Sequence, residues 1–257
     1  MQRLNWFCSC EREEAQHDHD HISKVANFLS LTQLVISKRT LKKSMNCKND
    51  SPGDQKEEVI NAVTHGIGTC LAMAGLVILI ILAVSKGTTW HVVSFSVFGA
   101  TMVLLYLVST LYHSFTSEKL KNLFRKFDHM AIFLLIAGTY TPFCLSLPTG
   151  LLRWIILGTV WGCTLLGIIL KVFFTGKKDL LSTILYLALG WLAIIVMKPL
   201  YDYMSLEGFS FLIAGGIFYT LGTIFYVKHQ IRYNHGIWHL FVLSGTTFHF
   251  FSILTLL

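Results

Sequence analysis

His235 and His239 lie four residues apart. On a helix that spacing puts both imidazoles on one face, one turn from each other. Two imidazoles so placed can grip one metal ion. A third from another helix would leave one tetrahedral position for water, which is the arrangement of catalytic zinc. His113 is the natural third ligand. Ser109 stands one turn from it on the same helical face, and Asp128 follows across a short basic stretch. A carboxylate beside a metal-bound water can accept its proton or orient it. The plainer alternative is that these groups hydrogen-bond one another and the backbone at a wet helix end.

The elements that must position these residues are apolar helices. The 257-residue chain is 53% hydrophobic and 14% charged, against about 25% charged in an average soluble domain. That is too little charge to coat a core of this size. Seven windows, roughly 62–84, 91–114, 128–147, 151–173, 181–200, 209–227 and 236–257, are long enough to cross a bilayer, which takes about 20 apolar residues as a helix. Runs such as LAMAGLVILIILAV do not alternate, so they are not the strands of a membrane barrel. The expected fold is an all-α, polytopic bundle of seven transmembrane helices. Backbone groups in lipid must be satisfied within each span. Ionisable residues inside such spans are costly and mark function by default.

Charge sets the orientation. Residues 1–60 carry nine basic and nine acidic side chains, and the rest carries twelve basic against five acidic, so the formal +7 resides in the membrane part. Lys119, Lys121, Arg125 and Lys126 fall between the second and third windows, Lys177 and Lys178 between the fourth and fifth, Lys228 and Arg232 between the sixth and seventh. The loops between are neutral, acidic or carry a single lysine, so the N-terminus is expected in the cytoplasm. The same pattern argues against nucleic acid as a partner and for membrane lipids. It places His65, His113, Asp128, His129, His235 and His239 near the cytoplasmic side. His249 lies about 15 Å further along the last span, from the helical rise.

The organisation expected is a polar N-terminal segment, 1–56, disordered or lying at the interface, followed by a membrane domain, 57–257. Residues 22–45 can form an amphipathic surface helix with Lys38, Arg39, Lys42 and Lys43 toward headgroups. Met45 is an alternative start, and His17, His19 and His21 near Cys8 and Cys10 are a weak metal candidate. The six cysteines show no disulfide framework. Gly66, Gly68, Gly75, Gly162, Gly167, Gly215 and Gly216 are expected to allow close helix packing. Trp90, Trp154, Trp191 and Trp238 are expected as interface anchors or packing residues, and Tyr140–Pro142 as a kink in the third span.

Several motifs then coincide. Ser109-x-x-x-His113 is followed by Phe127-Asp128-His129, Gly138-Thr139-Tyr140-Thr141-Pro142, His235-Gly-Ile-Trp-His239 and His249-Phe250. With the opening Glu57-Glu58-Val-Ile-Asn61-Ala-Val-Thr-His65-Gly-Ile-Gly68, these resemble the hemolysin III family, within the progestin and adiponectin receptor superfamily, over residues 56–257. The resemblance implies a seven-helix multi-pass protein of the cell membrane with zinc as cofactor, held by His113, His235 and His239. It implies that Asp128 contacts the zinc-bound water, with Ser109 close by. Three functions are then open: a zinc-dependent hydrolase of a lipid amide or ester, of ceramidase type and serving membrane lipid homeostasis; a cytolysin that permeabilises host membranes; and a lipid sensor or receptor in which zinc is structural.

Overall fold

The structure, a computed structural model, describes residues 52–147, 150–174, 179–228 and 230–257. The expectations for the surface helix at 22–45, the His17–His21 tract and Met45 lie outside these residues. Among the described residues there are α-helices, one short 3-10 segment and no strand. The order is α1 (Pro52–Lys86), α2 (Thr89–Ser114), α3 (Glu118–Ser146), α4 (Leu151–Phe174), α5 (Asp179–Trp191), the 3-10 segment Leu192–Val196, α6 (Met197–Tyr203), α7 (Leu206–Val227) and α8 (Asn234–Leu254). Seven spans are long and apolar enough to cross a membrane, the fifth being α5, the 3-10 segment and α6 taken together. Large apolar side chains lie exposed along them, Ile67 and Leu71 on α1 and Leu165, Leu166 and Phe173 on α4 among them. Apolar side chains facing outward are what hydrocarbon contact requires. The protein is a multi-pass membrane protein.

Two helices begin about ten residues before the apolar windows that announce them. α1 starts at Pro52, and α3 starts at Glu118, so Lys119, Lys121, Arg125 and Lys126 occupy its first turns instead of a loop. The polar stretch Glu118–Lys126 holds good helix formers and no glycine or proline, so the helix continues past the hydrocarbon. Asp128 therefore sits well inside a helix. The fifth span departs in the other direction. The α-helix tightens to 3-10 at Leu192–Val196 and resumes with Pro199 in the first turn of α6. Proline lacks the N–H that a helix interior needs but is tolerated in a first turn. Tyr140 covers the break from α3, its hydroxyl lying 3.0 Å from the Leu189 carbonyl and 2.7 Å from that of Gly190. Pro142 is contained within α3, which runs on to Ser146.

Close helix approach depends on small residues. A Cβ at Gly99 would overlap Leu76 and one at Gly138 would overlap Thr101; one at Gly68 would come within 2.9 Å of the Tyr106 ring. These contacts lock α1 onto α2 and α2 onto α3. Of the glycines expected at interfaces, Gly66, Gly68, Gly75, Gly167 and Gly215 face another helix, but Gly162 and Gly216 have nothing within 4 Å. Periodicity alone does not say which face of a lipid-facing helix meets protein. Trp238 is buried, whereas Trp90, Trp154 and Trp191 are exposed, with Trp90 and Trp154 edge to face at 5.9 Å. Among the described cysteines, Cys70, Cys144 and Cys163 are free thiols.

Candidate metal centre

Three histidines from two helices meet at one end of the bundle. His113 is in the last turn of α2, and His235 and His239 occupy the first turns of α8. One ring nitrogen from each lies within 4.8 Å of the others. The approach to α8 is built to hold them. Tyr233 adopts the left-handed conformation (φ 59°), the one non-glycine residue with positive φ among those described. Its ring carries the Arg232 guanidinium at 4.8 Å. Asn234 then donates to the Phe225 carbonyl at 3.0 Å, pinning the start of α8 to the end of α7. Backbone conformations of this kind cost energy and recur where a site must be positioned.

The hydrogen-bond partners decide which nitrogens are free to ligate. Glu58 of α1 faces His113 Nδ1 at 2.8 Å, and its other oxygen meets Lys121 Nζ at 2.8 Å. A carboxylate held by an ammonium accepts, so His113 Nδ1 carries the proton and Nε2 presents a lone pair. Thr64 Oγ1 donates to the Asn61 carbonyl at 3.0 Å and lies 3.2 Å from His239 Nδ1. Its one proton is committed, so it accepts from Nδ1, and His239 Nε2 is again the bare nitrogen. That Nε2 is buried with no hydrogen-bond partner among the described residues. His235 Nε2 faces His113 Nε2 at 3.2 Å. Converging lone pairs, one of them orphaned and two oriented by partners behind the ring, fit a cation. Imidazoles that bind metals are held in this way by a carboxylate, carbonyl or hydroxyl at the other nitrogen.

His65 stacks on His239, with ring centroids 3.5 Å apart and planes 12° from parallel. It has 1% exposure and backs the site from α1. Asp128 is 3% exposed, and His113, Ser109 and Arg125 are among the groups around it. It stands beside the three-histidine set and is not a member of it. The Ser109 hydroxyl is fully buried and faces this carboxyl, yet falls short of hydrogen-bond geometry with any described partner. The structure thus gathers His113, His235 and His239 into one set and sets Asp128 and Ser109 next to it. Sequence reasoning missed Glu58 and Thr64 as supports. Glu58 stands three and seven residues before Asn61 and His65, and Thr64 immediately precedes His65, so both lie on α1, but only the fold brings them to α2 and α8.

An apolar cavity of about 180 Å³ reaches this site. Asp128 and His65 line it, and its wall continues along α3 through Ile132, Leu135, Tyr140 and Phe143 to Leu147. Asp128 and Leu147, the C-cap of α3, are nineteen positions apart, about 28 Å at the helical rise. That is close to the hydrocarbon thickness of a bilayer, about 30 Å. Most of the remaining wall comes from the fifth span, α7 and α8.

Comparison with known proteins agrees with this architecture. The family model described as "Haemolysin-III related" matches residues 54–250. The chain is 52% identical over 199 residues to the "Hemolysin-3 homolog" of Bacillus subtilis (strain 168), covering 77% of this chain and 93% of that one. It is 50% identical to "Hemolysin-3" of Bacillus cereus, covering 77% and 91% respectively. A more distant relative, at 27% identity over 207 residues, is the human "Monocyte to macrophage differentiation factor", 83% of which is covered. No solved structure matches. The matched region contains the complete three-histidine set with Glu58, Ser109 and Asp128, and the chain belongs to the haemolysin III family of multi-pass membrane proteins.

Proposed function

We propose that this protein is a zinc-dependent hydrolase of a lipid amide or ester, acting in membrane lipid turnover. The observation that carries the reading is the junction of three converging imidazoles, a buried carboxyl and a cavity long enough for an acyl chain. Imidazole donors suit zinc, copper, iron and nickel rather than magnesium or calcium. Zinc fits best, because three protein ligands with one open position is its catalytic geometry and it brings no redox chemistry.

When bound, zinc supplies a Lewis acid for the carbonyl and a water acidified to near neutral pKa. The residues of the chain do the rest. Asp128 takes the proton as the attacking oxygen bonds to the carbonyl carbon. It returns that proton to the departing nitrogen or oxygen as the C–N or C–O bond breaks, leaving a fatty acid and an amine or alcohol. Ser109, with an uncommitted hydroxyl, donates to the oxygen on which charge develops. Glu58 and Thr64 keep the two imidazoles in the tautomer that presents Nε2. Burial of His239, Asp128 and Ser109 keeps bulk water away and strengthens each of these interactions.

Full-length protein reconstituted in phosphatidylcholine vesicles, with ceramide or another N-acyl lipid added in turn, is expected to release fatty acid. Release should stop after chelation and return with added zinc. Protein with stoichiometric zinc that cleaves none of the panel, while a control hydrolase does, would remove the catalytic reading. One observation favours a second reading, a lipid sensor with structural metal. Glu58, His113 and the His235–His239 pair join α1, α2 and α8 at one point. An ion there would tie three helices. In that case metal removal lowers thermal stability, and no lipid is consumed.

A further inference from the structure

His249 lies ten residues beyond His239 on α8, about 15 Å deeper along the helix. It plays no part in the metal centre. It is 8% exposed and lines the cavity. Its Nε2 is 3.2 Å from the Leu212 carbonyl. A carbonyl accepts only, so Nε2 carries the proton, and in the neutral ring Nδ1 is left as a bare acceptor. Nδ1 has no hydrogen-bond partner among the described residues. Gly215 seats the ring: a Cβ there would overlap both Cδ2 and Nε2 of His249.

The neighbouring polar atoms have also committed their protons elsewhere. Thr246 Oγ1 donates to the Val242 carbonyl at 2.9 Å. Tyr106 Oη, at 2.8 Å, and Tyr219 Oη, at 2.6 Å, must therefore both donate to Thr246. Tyr219 lines the cavity with its ring 5.3 Å from His249, and its oxygen retains acceptor capacity only. At this depth the cavity wall thus holds a buried, unpartnered acceptor nitrogen on His249, next to a Tyr219 hydroxyl whose proton is already committed. A carbonyl or carboxylate finds no donor in that pair, whereas a hydroxyl finds an acceptor.

We propose that the deep part of the cavity recognises a hydroxyl group carried far along a lipid chain, with His249 Nδ1 as its acceptor. This rests on the reading of the cavity as an acyl-chain site. The ligand class is a hydroxylated acyl chain whose head lies toward Asp128 and whose hydroxyl lies at His249.

The test uses purified full-length protein and displacement of a bound fluorescent fatty acid. The competitors are stearic acid and a positional series of monohydroxystearic acids. Wild type is expected to bind one isomer, with the hydroxyl well down the chain, about five- to tenfold more tightly than stearic acid, the worth of one net hydrogen bond. The preference, read as the ratio of hydroxystearic to stearic acid affinity within each variant, should vanish in His249→Phe. It should persist in His249→Gln, whose amide can donate to Leu212 and still accept. If His249→Phe does not fold, the wild-type positional scan decides alone. A flat scan, or a preference that survives His249→Phe, overturns the proposal but leaves the chain site standing. If stearic acid itself does not bind, the chain-site reading fails with it.

Discussion

Asp128→Asn is expected to lower lipid hydrolysis by about 10²–10⁴-fold, the range for losing a positioned general acid–base, while the protein keeps its full metal content. The two readouts are separable because the carboxyl stands beside the three-histidine set and not within it. Asparagine has nearly the same shape, but it cannot take a proton. Turnover and metal stoichiometry measured on the same preparation check this. Turnover within twofold of wild type would show that Asp128 is not the proton acceptor. Metal loss in step with activity would show that it holds the ion instead.

Glu58→Gln is expected to weaken zinc binding by about 10–100-fold, as loss of a partner behind a ligating imidazole typically does. The carboxylate holds His113 Nδ1 at 2.8 Å and is itself held by Lys121 at 2.8 Å. Glutamine can present its amide nitrogen to Nδ1 as readily as its oxygen, so the tautomer is no longer imposed. Lys121→Met should produce a smaller change in the same direction, because Glu58 keeps its charge and loses only its anchor. Titration against a fluorescent chelator of known affinity measures both. Equal zinc affinity in wild type and Glu58→Gln would mean that Glu58 does not orient His113.

The three-histidine cluster was legible in the sequence from helical spacing and the count of spans. His235 and His239 share a helical face by spacing alone, and His113 and Asp128 fall near one membrane side by counting spans. What supports them was not legible. Glu58 reaches His113 across 55 residues and Thr64 reaches His239 across 175. No periodicity encodes those distances. The starts of α1 and α3 were missed for a related reason. Hydropathy finds the part of a helix inside lipid, while helix propensity carries the chain further into water. The break at Leu192–Val196 was hidden because every residue in it is apolar. Pro199 was the visible signal, and Tyr140 is the residue that makes the break affordable in hydrogen-bond terms. His249 was seen as too deep for the metal layer, but its free nitrogen emerged only with the Leu212 carbonyl in place.

The most direct test of the central claim is metal content. Wild-type protein purified in detergent, beside His235→Ala/His239→Ala, would be measured by elemental analysis with thermal stability recorded for both. The account predicts about one zinc ion per chain in wild type, the content of a three-histidine site, and none in the double variant. A well-folded wild type that carries no metal and takes up none from added zinc would contradict it.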